Sequence, residues 1–167
     1  MTKKLAKKGN KGFTLVEILI VIAIIGILAL AIVPNASKSI ERSKVTSLIS
    51  DYRTIKSAAL TYFSDMDEWP EDGAGKVGFV TAPDGASGKW MGPYIEKWPE
   101  SNEWNGEIIY NCKEGTLFGT DSVEERYLTL TKIPKSVYNR LVEELGSDFV
   151  VKDDDTDTTV HLLISRD

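Results

Sequence analysis

The sequence has 167 residues, of which one is a cysteine, Cys112, and one is a histidine, His161. A single cysteine excludes an intramolecular disulfide; it is usually a small buried apolar residue, with intermolecular crosslinking as the alternative. A single histidine without a nearby cysteine does not supply the ligand set of a zinc site. The sequence also contains no phosphate-binding glycine loop, no paired cysteines and no Ser/His/Asp set. It therefore predicts neither an enzyme nor a cofactor.

Acidic residues are absent from the first 12 positions, which contain five lysines: Lys3, Lys4, Lys7, Lys8 and Lys11. In the remaining sequence, 15 lysines and arginines stand against 25 aspartates and glutamates, a side-chain balance of −10. Binding to a phosphate backbone requires clustered cations. This balance therefore argues against nucleic acid as a ligand of the bulk surface, and it suits the solubility of an exposed protein.

An apolar run from Phe13 to Val33 follows the basic segment. Its length is about the 20 residues that a membrane-crossing helix needs. The run is longer than the apolar core of a cleaved secretory signal, and no small-x-small site closes it. The preceding lysines place the N-terminus in the cytoplasm by the positive-inside rule. Glu17 interrupts the run at a cost of about 3 kcal/mol in a membrane, which a plain anchor does not explain.

The segment from Lys11 to Ala29, KGFTLVEILIVIAIIGILA, resembles the class III signal of type IV pilins and type II secretion pseudopilins. The resemblance implies that a prepilin peptidase cuts between Gly12 and Phe13 and then N-methylates Phe13. In the family's pattern, the glutamate corresponds to Glu17, and the helix-loosening glycine and proline correspond to Gly26 and Pro34.

The family glutamate also has a physical interpretation. Cleavage leaves a cationic amine on Phe13, and Glu17 lies about 6 Å further along the helix axis. In a stack of subunits, Glu17 of one chain can meet the Phe13 amine of a neighbour. Because an unpaired charge in a low-dielectric core is strongly disfavoured, this pair is expected to select the register between subunits.

The resemblance implies a division into three segments. Residues 1–12 are expected to be a cleaved prepilin leader, 13–37 a transmembrane and polymerisation helix, and 38–167 an extracellular pilin domain. The expected partners are other pilin subunits, the prepilin peptidase, the pilus or secretion assembly machinery, and the membrane before assembly. The precursor is expected to be a single-pass protein of the cell membrane, and the assembled form an extracellular surface pilus.

The predicted fold class is α+β, with a long helix packed on an antiparallel sheet of about four strands, as in the type IV pilin fold. One helix of about 50 residues is predicted from Phe13 to about Asp65, with a kink or break at Pro34. An apolar stripe marks its buried second half: Val45, Leu48, Ile49, Tyr52, Ile55, Ala59, Tyr62 and Phe63.

In the C-terminal half of the sequence, apolar and polar residues alternate as they do in β-strands. Strands are predicted at 107–112, 127–131, 149–151 and 160–164, with a turn at Lys113–Gly115 and a short helix that begins at Pro134 and ends at Gly146. Between 66 and 106, turn signals and all four tryptophans indicate a long loop. The tryptophans favour packing against the core, with ligand binding as the alternative.

The acidic run between the last two strands has the alternate spacing of calcium ligands at Asp153, Asp155 and Asp157. Thr158 and Ile164 stand where an EF-hand needs glycine and glutamate, so the sequence excludes an EF-hand. A calcium loop like that of pseudopilins remains one interpretation, and a solvated hairpin turn is the other.

Three functions compete. The first is a structural subunit of a type IV pilus, for motility, adhesion or DNA uptake; the second is a pseudopilin of a type II secretion or competence system. The third is a membrane-anchored ligand-binding module, against which Glu17 and the Gly12–Phe13 pair argue. The lone Cys112 departs from the C-terminal disulfide of many Gram-negative pilins and favours a Gram-positive-type pilin or a pseudopilin.

Overall fold

The computed structural model describes residues 12–73, 75–86, 88–153 and 158–166, with the backbone alone for 30–35. The leader residues 1–11 therefore lie outside the described part. The chain divides into two units between Ile40 and Glu41. In chain order the elements are α1 (Leu15–Met66), α2 (Lys76–Phe79), β1 (Ile108–Gly115), β2 (Val123–Leu130), α3 (Lys135–Leu145), a 3-10 helix (Ser147–Phe149), β3 (Val150–Lys152) and β4 (Val160–Arg166).

Helix α1 is 52 residues long and continues through Pro34, so the single long helix is confirmed and no break occurs there. Proline removes one backbone donor, and the helix continues on both sides of it. In the first unit, the large apolar side chains from Leu15 to Leu28 expose about half of their surface or more. In the part of the chain that the structure describes, no helix combines the length and apolar character needed to cross a membrane.

The second half of α1 buries its predicted stripe, with one exception. Phe63 keeps 40% of its surface exposed and stacks on Trp69, with ring centroids 4.6 Å apart. The position of Phe63 in a three-and-four pattern predicted burial in the core, but its ring packs on a partly buried tryptophan of the loop segment instead. Met66 takes the last buried position instead.

The four strands form one antiparallel sheet in the order β1-β2-β4-β3. This confirms the α+β prediction of a long helix and a four-stranded sheet. The predicted turn at Lys113–Gly115 is wrong, because these residues pair with 123–125 as the end of β1. The connection lies at 116–122, where the amides of Leu117 and Phe118 both donate to the buried carboxylate of Glu125 at 2.9 Å.

Helix α3 follows its sequence signals. Pro134 is its N-cap, Gly146 its C-cap, and Val137 and Leu141 are its buried residues. The hairpin of β3 and β4 forms as predicted, with Val150 opposite Leu162. One hydrophobic core joins α1, α3, the sheet and the connecting segment.

The connection between α1 and β1 is anchored by its aromatic residues. Trp98 is buried and donates through Nε1 to the carbonyl of Ile108 at 3.3 Å. Trp69 and Trp104 are partly buried against the same core, and Trp90 donates to the carbonyl of Gly78 at 2.8 Å. These contacts support the packing interpretation of the tryptophans.

Candidate assembly site at the start of α1

The predicted cleavage site lies immediately before the first turn of α1. Gly12 and Phe13 precede the helix, and the Phe13 side chain is 83% exposed. No described atom lies within 4 Å of a Cβ placed on Gly12. The bond between Gly12 and Phe13 thus belongs to an open, non-helical segment, which is the backbone form that a peptidase can engage.

Thr14 and Glu17 close the first turn as a capping box. The Glu17 amide donates to Thr14 Oγ1 at 3.2 Å, and Glu17 Oε2 accepts from the Thr14 amide at 2.8 Å and from the Thr14 hydroxyl at 2.9 Å. Two of the otherwise unpaired amides at the helix start are satisfied in this way. Sequence reasoning missed this role of Thr14, although the Thr-x-x-Glu spacing is its sequence signal.

The second carboxylate oxygen of Glu17 remains available. All three of the hydrogen bonds in the box use Oε2 or the backbone, and Oε1 accepts none from any residue that the structure describes. A carboxylate has about four lone-pair positions, so Glu17 can keep its capping bonds and still accept from an external cation. No positive side chain stands among the described residues of the first turn.

Gly26 and Pro34 lie further along the same helix. A Cβ placed on Gly26 would contact no described atom within 4 Å. Close packing within this chain therefore does not explain why glycine, a poor helix former, occupies the position. The side chain of Pro34 lies outside the described residues.

The calcium candidates do not form a described site. Asp155 and Asp157 lie outside the described residues, and Asp153 follows β3 and donates its amide to the Thr159 carbonyl at 3.1 Å. Among the residues that the structure describes, no group of three acidic, His or Cys side chains could hold a metal ion.

Cys112 lies on β1 and His161 on β4, and both side chains contact neighbouring residues within the sheet. The Cys112 side chain is half-buried and hydrogen-bonds with Arg126, and burial raises the pKa of its thiol. Across the sheet, Thr129 Oγ1 lies 3.0 Å from His161 Nδ1 and accepts from Asn111 Nδ2 at 2.8 Å. Burial lowers the pKa of His161, so the neutral ring with Nδ1 as an acceptor is favoured.

Two buried charges of β2 were not predicted. Arg126 is 1% exposed, pairs with the Glu124 carboxylate and lies 4.8 Å from the ring centroid of Trp69. Glu125 is also 1% exposed and lies 3.5 Å from Arg166 Nε. Alternation along a strand predicts one face as buried, and it does not predict that two adjacent charged residues are enclosed on opposite faces.

Comparison with known proteins places this geometry in a family. Residues 7–33 match the model of the prokaryotic N-terminal methylation motif, and 39–124, about half of the chain, match the model described as PilW, C-terminal. The type II secretion system core protein G of Klebsiella michiganensis is 31% identical over 104 residues, which cover 60% of this chain and 72% of that protein. The chain belongs to the family of type IV pilins and type II secretion pseudopilins.

Other members of the family match over shorter stretches. The type IV major pilin PilA of Myxococcus xanthus is 41% identical over 71 residues, which are 42% of this chain and 32% of that protein. The chain spans a third to a half of the length of the pilins that it matches. The major type IV pilin PilA1 of Clostridium difficile superposes with a TM-score of 0.47 at 19% identity, over 75% of this chain and 97% of that one.

Proposed function

We propose that the chain is a structural subunit of a type IV pilus. The subunit is inserted in the cell membrane as a prepilin with its N-terminus in the cytoplasm, cut before Phe13 and N-methylated there. It then polymerises into a helical filament on the cell surface. The observation that carries the proposal is the methylation motif over 7–33 on a helix whose apolar side chains stay exposed from Leu15 to Leu28.

That exposed apolar surface requires a covering environment. Large contiguous apolar patches on soluble proteins mark contacts with membranes or with other proteins. Removing such a patch from water contributes about 25 cal/mol per Å² of apolar area. Transfer from a membrane into a subunit bundle exchanges one apolar environment for another, so it depends on close packing in the bundle instead. We propose the membrane as the first environment and other copies of the helix as the second, with the prepilin peptidase and the assembly machinery acting between them.

Glu17 supplies specificity to this association. After cleavage, Phe13 carries a cationic amine, and Glu17 Oε1 is open to an external donor. A neighbour in the correct stagger neutralises both charges, and a wrong stagger leaves both unpaired in an apolar core. Apolar side chains alone do not distinguish one stagger from another, so this pair sets the register.

A pseudopilin of a secretion or competence system is the second candidate. This candidate is favoured by how much of each relative's length the chain covers. The chain covers 72% of the secretion core protein G but 32% of the Myxococcus xanthus pilin. Neither of these proteins is named as an enzyme. Both candidates use the same helix and the same Glu17.

The proposal is tested on filaments sheared from the native host. Intact-mass measurement of the subunit is expected to show a chain that begins at N-methylated Phe13, lighter than the precursor by the 12 residues that precede Phe13 and heavier by one methyl group. A surface protein that still begins at Met1, or one cut near Val33, would contradict the proposal. A deletion strain that keeps its surface filaments but loses protein secretion would favour the pseudopilin.

A further inference from the structure

An open groove of about 880 Å³ runs beside the second half of α1. The part of α1 that lines it, 45–61, is about 24 Å long. Helix α3 contributes Arg140 and Glu144, and the segment between α1 and β1 contributes Pro93 and Tyr94. All of these residues belong to the globular unit, so the groove is a property of that unit alone.

Hydroxyl side chains recur along the α1 lining about once per helical turn. They are Thr46, Ser50, Thr54, Ser57 and Thr61. The three threonine hydroxyls donate to the carbonyl four residues earlier at 2.9–3.0 Å, so their oxygens can still accept from a ligand. The two serine hydroxyls form no hydrogen bond with any described residue, so they can donate as well as accept. This row suits a linear ligand whose own polar groups repeat at a similar distance.

Two arginines give the groove its charge. Neither Arg53 nor Arg140 forms a hydrogen bond or an ion pair with any residue that the structure describes. With the carboxylate of Glu144, the groove has a net charge of +1, whereas residues 13–167 have a balance of −10. A guanidinium binds a carboxylate through two parallel hydrogen bonds, so the fitting occupant carries carboxylates.

Tyr94 gives the groove a fixed aromatic border. Its hydroxyl donates to Asp65 at 2.9 Å and accepts from the Met91 amide at 3.2 Å. Its ring meets those of Tyr62 and Trp90 edge to face, with centroids 5.6 and 5.9 Å apart. An aromatic side chain held in this way offers an apolar surface at little cost in side-chain entropy, which suits the C–H groups of a sugar ring.

We propose that the groove binds a linear polysaccharide that carries carboxylates, such as a chain of uronic acids. Arg53 and Arg140 pair with its carboxylates, and the row of α1 hydroxyls bonds to its sugar hydroxyls. A sugar unit in an extended chain is about as long as one helical turn, so successive units meet successive hydroxyls. The proposal concerns the globular unit and goes beyond the filament function, on which it does not rest.

Two other classes of polymer fit the groove less well. Nucleic acid requires several clustered cations to neutralise its phosphates, and the groove has a net charge of only +1. A peptide that docks along a helix is held by apolar anchors, and along this groove hydroxyls recur at the turn-by-turn positions such anchors would contact. Widely spaced carboxylates on a hydroxyl-rich chain match both the charge and the lining.

Titration calorimetry of the full-length chain in neutral detergent micelles tests the proposal. The probes are a hexamer of galacturonic acid and maltohexaose, a neutral oligosaccharide with the same number of units. The wild type is expected to bind the acidic hexamer about tenfold more tightly than the neutral one, and less tightly as salt is added. Arg53→Gln/Arg140→Gln is expected to weaken binding of the acidic hexamer about tenfold. Ser50→Ala/Ser57→Ala is expected to weaken it about threefold, which charge pairing alone would not explain.

The matched control is Lys89→Gln/Lys97→Gln, which removes the same charge at two exposed lysines outside the groove and is expected to bind like the wild type. Equal weakening in this control and in the arginine variant would overturn the proposal, because only net charge would then matter. Wild-type protein that binds neither hexamer would overturn it as well. Tighter binding of a glutamate hexapeptide or of single-stranded DNA than of the acidic hexamer would assign the groove to another polymer and refute the polysaccharide.

Discussion

The hydroxyl of Thr14 donates to the carboxylate of Glu17 and accepts from the Glu17 amide, so the family glutamate is already held in place within a single chain. The capping box aims the carboxylate along the first turn and fixes its rotamer before any neighbour arrives. An intermolecular pair formed with a fixed carboxylate loses less side-chain entropy than one formed with a mobile side chain. Thr14 is therefore a positioning residue for Glu17.

Replacing Glu17 separates membrane insertion from assembly. The variant Glu17→Val is expected to insert in the membrane at least as well as the wild type, because it removes a charge from the apolar run. Its filament yield is expected to fall by far more than that of Ile20→Val, which changes an exposed apolar residue of the same helix. Both quantities are measured by membrane fractionation and by shearing. Wild-type filament yield from the Glu17→Val strain would refute the register role.

Thr14 provides the finer test of the same site. Thr14→Ser keeps the hydroxyl and is expected to assemble like the wild type. Thr14→Val keeps the shape but loses the hydroxyl bonds to Glu17, and a lost cap costs about 1 kcal/mol. A filament yield between those of the wild type and Glu17→Val is the expected result, and equal yields from Thr14→Ser and Thr14→Val would show that the capping box has no part in assembly.

The stretch between Gly26 and Pro34 is expected to change conformation on assembly. In the chain described here α1 is continuous, but glycine disfavours a helix interior by about 1 kcal/mol relative to alanine and proline by about 3. We expect neighbouring subunits to unwind part of 27–33, so that the fibre extends under load. A filament density map with unbroken helical hydrogen bonding from Ile22 to Ser39 would contradict this.

Substitutions that change helix propensity in the same stretch are expected to change how far the filament extends under load. Gly26→Ala adds a methyl group that meets no described atom within 4 Å, so the subunit tolerates it. The variant filament is expected to extend less under load, and Ala29→Gly, the matched control of opposite propensity, is expected to extend more. Single-filament stretching compares the two. Identical extension of both variants would show that helix propensity here does not govern the fibre.

Removing the hydroxyl group from each of two buried tyrosines is expected to have different effects on the free energy of unfolding. Tyr52 donates to the carbonyl of Leu163, and its pKa is raised to about 12 by burial, so it stays a donor at any ordinary pH. The Tyr110 hydroxyl has no hydrogen-bond partner among the described residues. Tyr52→Phe is expected to lower the free energy of unfolding by about 1 kcal/mol, and Tyr110→Phe to leave it unchanged or raise it by a similar amount.

Thermal or denaturant unfolding of the wild type and of the two variants measures these changes in the free energy of unfolding. The pair is matched, since each variant loses one oxygen from a ring in the same core. A loss of stability in Tyr110→Phe as large as that in Tyr52→Phe would show that the Tyr110 hydroxyl has a partner after all.

His161 is expected to make stability depend on pH. Its pKa is lowered by burial, so the unfolded chain binds the proton more readily than the folded one. Stability is therefore expected to fall as the pH drops below the ordinary histidine pKa of about 6.5, and to level off below the lowered folded value. His161→Gln should show a smaller decline between pH 7.5 and about pH 5. Equal declines in the two proteins would assign the effect to other groups.

The sequence allowed the helix and the four strands to be predicted because each has a local signal, and the assembly role of Glu17, Gly26 and Pro34 stays a prediction. Pro134 and Gly146 bound α3 by their backbone preferences, and the alternation of β4 matches its burial. The end of β1 had no such signal. Lys113–Gly115 has turn-like composition, and it became a strand because β2 is long enough to pair with it. The Arg126–Trp69 contact joins residues far apart in sequence, so no local pattern could have predicted it.

All four tryptophans lie between positions 69 and 104, in the segment that joins α1 to β1. Intrinsic fluorescence of this protein is thus an optical signal of that segment alone, while far-ultraviolet circular dichroism is dominated by the 52-residue helix. Trp69 contacts both the Phe63 ring and the Arg126 guanidinium, and detachment of the segment would remove both contacts and expose the indole to water. A shift of the emission to longer wavelength at constant ellipticity would report the release of this connection before the helix melts, in a single cuvette and without a label.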